Sequence, residues 1–290
     1  MRILEGKNAV ITGSGRGLGR AYAHLFAAEG ARVVVNDVDF EEAKKVVAEI
    51  KAKGGVAVPS GDSVFPYEAA GRIVKACVDS FGRIDILVNN AGILKDRTLW
   101  NMTPEEFDEV VNVHVKGTFY CGQHAIRLMR AQGHGVLLNV TSGAHHGNFG
   151  QTNYAGSKGA ITSMTYTWAL ELPGRGVRVN AISPAAATRM TATMPGGPTS
   201  APETAAPLAA FLCSDEADWV HGQVFNSSGE IYRIMEQPKY GLTMAMPGGW
   251  TVEELRKHFR TVYFGHLESY GPGKPPYAWY GGVKRQEPRP

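Results

Sequence analysis

An α/β fold, a parallel sheet covered by helices on both faces, is what this sequence predicts, and three features predict it. Short β-branched runs such as Ala9-Val10-Ile11 alternate with amphipathic helical stretches of ten to fifteen residues. The first run feeds straight into a glycine-rich turn, Thr12-Gly13-Ser14-Gly15-Arg16-Gly17-Leu18-Gly19, and that turn opens a helix. The next run ends in an acidic residue, Asp37, about 20 residues further on.

Each element follows in order. Strand, glycine turn and helix form a dinucleotide site: Gly13, Gly15, Gly17 and Gly19, with Arg16 and Leu18 between them, let backbone approach a pyrophosphate, and the helix N-terminus favours its charge. Asp37, closing the strand at 32–36, would bond the adenosine ribose hydroxyls and repel a 2′-phosphate, which argues for NAD. Arg16 is the contrary signal, for NADP, and Asp37 outweighs it. A helix at 40–53 ends at Gly54-Gly55. After a strand at 56–58, Asp62 falls where a strand end would meet adenine. A helix at 67–81 and a strand at 84–88 lead to Asn89-Asn90-Ala91-Gly92. One long helix is expected over 105–131, then a strand at 136–140 with Thr141 and Ser142 at its carboxyl end, where ligands of such sheets lie. A helix bearing Tyr154 and Lys158 follows, then a strand at 177–182 ending in Ser183-Pro184, and a last strand at 223–226. The expectation is a single Rossmann-type, doubly wound parallel sheet of about seven strands over residues 1–235, joined by right-handed crossovers.

Tyr154 and Lys158 stand four apart on one helix, so their side chains share a face. A phenol beside an ammonium is an acid–base device, because a neighbouring cation favours the phenolate. In isolation the same pair reads rather as two solvated residues on a helix, and the rest of the chain has to change that.

Bulk properties exclude several classes. A chain of 290 residues with 43% hydrophobic and 20% charged side chains is an ordinary globular protein, and its net charge of +3 comes without a basic run. Neither nucleic acid nor a membrane is an expected partner, and no stretch approaches a membrane span. Cys77, Cys121 and Cys213 lack metal-ligand spacing and read as free thiols of a cytoplasmic protein. His145 and His146 form a pair without a third ligand, so no metal is expected.

With these pieces in place, the chain resembles the short-chain dehydrogenase/reductase family over about residues 5–235. The likeness rests on TGSGRGLG, NNAG at 89–92, YAGSK at 154–158 and RVNAISP at 178–184. Within it the chain is most similar to the (3R)-hydroxyacyl-CoA dehydrogenase unit of multifunctional β-oxidation enzymes, through NNAGILKDR, GNFGQTNY and Arg189-Met190-Thr191.

The resemblance implies an oxidoreductase of secondary alcohols and ketones. The leading substrate class is a 3-hydroxyacyl thioester, the alternative a steroid or alicyclic alcohol; a non-catalytic nucleotide sensor is the rival from outside enzymology. Tyr154 would be the general acid/base, while Lys158 would hold the nicotinamide ribose and lower the tyrosine pKa. Asn90, Ala91, Gly92, Pro184 and Thr188 would line the cofactor. A homodimer or homotetramer is implied, through the small residues beside Tyr154.

Two positions depart from the family pattern. The serine expected thirteen residues before the tyrosine falls on Thr141, which the count favours, with Ser142 its rival. The family's helix asparagine falls on His114, which would shuttle protons or simply pack. If the backbone kinks there, its carbonyl can still hold a relay water. Met190 and Met194 are candidate substrate contacts, and Lys95, Arg97 and Arg189 would meet the phosphates of an acyl-CoA. Residues 236–290 form an extension whose nine aromatics argue against a simple linker. It should hold one helix, with Thr251 and Glu254 as a capping box and Val252, Leu255, Phe259 and Val262 as its apolar stripe. It is expected to pack on its own subunit or a neighbour and help wall the active site.

Overall fold

The computed structural model describes residues 2–188, 190–191, 198–264, 266–267 and 271. Eight strands form one sheet in the order β3-β2-β1-β4-β5-β6-β7-β8. They are β1 (Asn8–Thr12), β2 (Arg32–Asn36), β3 (Val56–Ser60), β4 (Ile86–Asn89), β5 (Gly135–Val140), β6 (Val177–Ala185), β7 (Val224–Ser228) and β8 (Ile231–Ile234). Neighbours pair in parallel except for β7 and β8. The eighth strand was not expected. It arises where the Gly229-Glu230 turn, with Gly229 at φ 58°, folds Ile231 back onto Ser228.

Alternating side chains send the two halves of each strand to opposite layers. Ile11, Val33, Val35, Val88 and Leu138 pack against α1 (Gly17–Ala28), α2 (Phe40–Ala52) and α7 (Ala206–Cys213), around Tyr22 and Phe26. Val10, Val34, Leu87, Leu137 and Val179 face α3 (Tyr67–Phe81), α5 (Gly117–Gln132) and α6 (Thr152–Glu171), around Ile73, Met129 and Trp168. The strand order reverses between β1 and β4. The crevice outside their carboxyl ends is therefore the expected ligand position.

The helix expected over 105–131 forms, but it widens in the middle. α4 (Pro104–Val111) starts at a capping box, Thr103 with Glu106, and passes into a five-residue π-turn, Asn112–Lys116, before α5. In the C-terminal extension the expected helix forms as α8 (Val252–Tyr263), capped by Thr251 and Glu254, with no buried residue. Among the described residues no helix is long and apolar enough to cross a membrane. The three cysteines are buried and unpaired.

Candidate active site

The glycine turn lies at the reversal point. Gly13 has φ 62°, and a Cβ there would meet the Ala91 backbone at 2.8 Å. On Gly19 a Cβ would fall 2.3 Å from the Gly13 carbonyl oxygen. Only bare backbone fits at either position. Asn90 explains how NNAG serves this turn: its side-chain amide donates to the carbonyls of Thr12 (2.9 Å) and Gly13 (3.0 Å). Ala91 N–H donates to the Thr12 hydroxyl at 3.0 Å. The Asn90 side chain is thus engaged in bracing the turn.

The residues fit a dinucleotide. No side chain caps the N-terminus of α1, so the N–H groups of its first turn remain for a pyrophosphate. Asp37 accepts from Gly15 N–H with Oδ2 and from Asp39 N–H with Oδ1, both at 3.0 Å, which fixes its carboxylate where a ribose would lie. Arg16 turns instead to Asp39 (2.7 Å) and Glu42 (3.6 Å). Its hydrogen bond with Asp39 raises the guanidinium pKa and lowers that of the carboxyl. Asp62 lies just past β3, its carbonyl accepting from Asn36 and its carboxylate from Arg72. Thr188 sits over Gly17, with Cγ2 3.6 Å from a Cβ built there. Pro184 lies in β6 opposite Ser227.

Across the crevice, β5 and the residue after it hold α6 by buried polar links. Asn139 donates to Thr165 Oγ1 at 3.0 Å. Thr141 Oγ1 bonds the Lys158 carbonyl (2.9 Å) and Thr162 Oγ1 (2.7 Å). That placement corrects the preference for Thr141: strand alternation turns its hydroxyl into the helix and the next residue, Ser142, towards the crevice. The Ser142 side chain acts on Tyr154 so as to lower the phenol pKa. It also accepts from Ala144 N–H at 3.2 Å.

Lys158 is 3% exposed, and its Nζ donates to the Val140 carbonyl at 2.6 Å. Burial lowers its pKa to about 7. The ammonium stands 5.5 Å from the centre of the Tyr154 ring. In the protein without ligand, Tyr154 is held above the ordinary phenol pKa, first by burial, while Ser142 opposes and Asp96 adds to the rise. The expected lowering by Lys158 is not what governs it: desolvation of a phenolate exceeds the benefit of one nearby cation.

His114 occupies the π-turn, fully buried, its ring edge-on to Tyr154 at 5.3 Å between centroids. Nε2 lies 2.9 Å from the Ile93 carbonyl oxygen and 3.0 Å from Ile93 N. Burial, and then the Lys158 charge, lower its pKa to about 3, so the ring is neutral and no proton carrier near pH 7. Gly92 is glycine for this neighbour, since a Cβ would come 2.4 Å from His114 Cε1.

At the mouth, two loops are zipped together. Arg97 N–H donates to the Gly150 carbonyl (2.8 Å), Gln151 to Asp96 (2.9 Å), and Asn153 to the carbonyls of Lys95 (2.9 Å) and Glu106 (3.1 Å). Sequence reasoning missed Asp96, Gln151 and Asn153. Two of these lie in the segment GNFGQTNY, but nothing in their types shows that they reach another loop. Lys95 and Arg97 pair with Glu109 (3.0 Å) and Glu106 (3.2 Å). Arg189 and Met194 lie outside the described residues, while Met190 is 38% exposed. His145 and His146 touch edge-on, and among the described residues no group of three or more ligands could hold a metal.

A glycine cradle at the reversal point of a parallel sheet, facing a phenol–ammonium pair, defines a dinucleotide-binding α/β protein equipped for acid–base chemistry. The chain belongs to the short chain dehydrogenase family, whose model matches residues 7–196. It is 40% identical over 242 residues to the 3-oxoacyl-[acyl-carrier-protein] reductase FabG of Thermotoga maritima, covering 79% of this chain and 98% of that one. It is 44% identical over 264 residues to the peroxisomal hydratase-dehydrogenase-epimerase of Neurospora crassa, covering 89% of this chain but 29% of that longer protein. Among solved structures, a short chain dehydrogenase from Mycobacterium avium superposes with a TM-score of 0.84 at 37% identity, covering 97% of this chain and all of that one.

Proposed function

We propose that the protein interconverts a secondary alcohol and a ketone with NAD, and that a 3-hydroxyacyl thioester is its leading substrate class. The observation that carries the reaction is the Tyr154 phenol with the Lys158 ammonium over its ring, beside the carboxyl end of β5 where Ser142 turns to the crevice. The bound nicotinamide supplies the hydride chemistry. Tyr154 passes a proton to or from the substrate oxygen, Ser142 donates to that oxygen, and Lys158 holds the ribose and supplies positive charge. Ribose hydroxyls would join the Val140 carbonyl as acceptors for the Lys158 ammonium. The position of Ser142 removes much of the motive for the non-catalytic sensor.

NAD is favoured over NADP because a 2′-phosphate would meet the Asp37 carboxylate, while Arg16, the nearby cation, is held by Asp39 and Glu42. The substrate class draws on the relatives, two of whose names specify 3-oxoacyl reduction or a dehydrogenase of a multifunctional enzyme. Lys95 and Arg97 are already ion-paired, so acyl-CoA phosphates would have to compete with Glu109 and Glu106. A cytoplasmic, homo-oligomeric protein with an extension at 236–290 completes the reading.

The test is NADH formation from dialysed protein with 3-hydroxyacyl thioesters and alicyclic secondary alcohols, with NADP run in parallel. Tyr154→Phe should lower kcat by at least about 10²-fold while NADH still binds. Equal turnover in the variant, or no turnover on any alcohol, overturns the reading.

A further inference from the structure

We propose that Asn153 is a positioning residue: it fixes the reach of Tyr154 by tying the first turn of α6 to the mouth loop after β4 and to α4. This rests on the catalytic reading above. The start of α6 needs such a tie, because its leading N–H groups lack intrahelical partners and Gln151, at the cap, makes no side-chain hydrogen bond to them. Asn153 supplies an acceptor: its Oδ1 takes the Tyr154 N–H at 2.7 Å. On the other side of the amide, Nδ2 donates to the carbonyls of Lys95 (2.9 Å) and Glu106 (3.1 Å). Only this orientation of the amide works, since a carbonyl oxygen accepts and a backbone N–H donates. The side chain is fully buried. It therefore satisfies three backbone groups at once, and three elements meet at the residue before the catalytic phenol.

What lies at the ends of this tie makes it matter for chemistry. Beyond Lys95, Asp96 accepts from Gln151 and Arg97 N–H donates to the Gly150 carbonyl, so the mouth loop and the start of the helix are one unit. Beyond Tyr154 N–H, the ring lies edge-on to His114 and 5.5 Å from the Lys158 ammonium. The sheet side pins α6 further along, at Lys158, Thr162 and Thr165. Asn153 pins it at the first turn, where helices fray. Proton transfer requires hydrogen-bond reach, and a misplacement of about 1 Å can cost about 10²-fold in rate. No other side chain of this shape can serve: an ionised Asp only accepts, and Leu does neither.

Asn153→Ala removes all three bonds and leaves room for water at the two carbonyls, so it remains usable where Asn153→Asp, which sets a carboxylate against them, does not fold. Thr165→Val is the control, deleting a buried side-chain bond of the same helix away from the phenol. Both Asn153→Ala and Thr165→Val should melt about 3 °C lower. Asn153→Ala should lower kcat about tenfold with the NADH Kd within about twofold, whereas Thr165→Val should leave both within about twofold. A substrate-free readout is the ultraviolet titration of the Tyr154 phenolate, taken as the difference from matched Tyr154→Phe variants. Burial holds this phenol above its ordinary value, Asp96 adds to the rise and Ser142 opposes it, while Lys158 and His114 face the ring. A loosened first turn admits water, so Asn153→Ala should lower the Tyr154 pKa by about half a unit, a threefold gain of phenolate at fixed pH. Unchanged kcat in Asn153→Ala, or an equal loss in Thr165→Val, overturns the inference and leaves a structural amide. If the parent protein turns over no alcohol, the proposed reaction fails and the titration decides on Asn153: a downward shift keeps its role, and an unmoved phenol removes it.

Discussion

At the scale of single residues, the centre depends on which of two adjacent hydroxyls faces the crevice. Thr141 is bonded to the Lys158 carbonyl and to Thr162, whereas Ser142 acts on the Tyr154 phenol. The two should therefore fail differently. Ser142→Ala should cut kcat by about 10²-fold, as loss of one donor to a developing oxyanion does, with at most about 1 kcal/mol lost from stability. Thr141→Val should leave kcat within about threefold and lower stability by about 1–2 kcal/mol, read from denaturant midpoints at constant m. The opposite pattern would restore Thr141 to the reaction. The Tyr154 and Lys158 positions were legible in the sequence because helical spacing alone puts i and i+4 on one face. The Thr141 and Ser142 choice was not, because counting residues does not say which side of a strand end faces the ligand. Nor could spacing show that burial, not the neighbouring ammonium, dominates the Tyr154 pKa.

At the scale of elements, strands buried on both faces announced themselves as β-branched runs, and the glycine turn fixed where the first helix starts. Three features escaped. The π-turn at Asn112–Lys116 inserts one wide turn into a sequence whose residues suit an α-helix, and only its packing against α6 distinguishes it. β8 is exposed throughout and lacks the continuous apolar run of its neighbours. The loop-to-loop bonds of Gln151 and Asn153 depend on long-range proximity. The extension was legible in its helix but not in its placement. α8 leaves Val252 69% and Phe259 53% exposed, yet Gly271 N–H donates to the His146 carbonyl at 3.1 Å, beside the mouth. The core clusters contain none of the described residues of this segment. Deleting residues 237–290 should leave the sheet cooperatively folded while changing assembly or shifting kcat/KM between acyl and alicyclic substrates by about fivefold or more, equivalent to ~1 kcal/mol. Unchanged assembly and unchanged preference would remove the extension from any role at the site.

At the scale of the whole molecule, the question is what covers α6. Its buried face carries Lys158, Ile161, Thr162 and Thr165, while Gly156 and Ser163 lie exposed on the other side. α4 and α5 also leave Phe107, Phe119 and Leu128 38–41% exposed. Small residues let a second helix approach closely, and large apolar ones supply the area that a stable interface of about 800 Å² per partner needs. A second copy seated there would press on the outer side of the helix whose inner face positions Tyr154 and Lys158, so assembly and activity should be linked. Gly156 allows a clean test, because a Cβ there meets nothing within 4 Å in the protomer. Gly156→Arg should therefore fold, at a cost no larger than an ordinary surface change, about 0.5 kcal/mol. It should nevertheless reduce the sedimenting species to a smaller one, because an unpaired guanidinium cannot be buried between helices without a large desolvation cost. If the parent protein sediments as a monomer at micromolar concentration, or the variant keeps the parent's size, α6 is not the contact. If the variant dissociates and kcat falls with it while NADH binding persists, the partner's role is to hold the Tyr154 helix against β5, the same task that Thr141 and Asn139 perform from within.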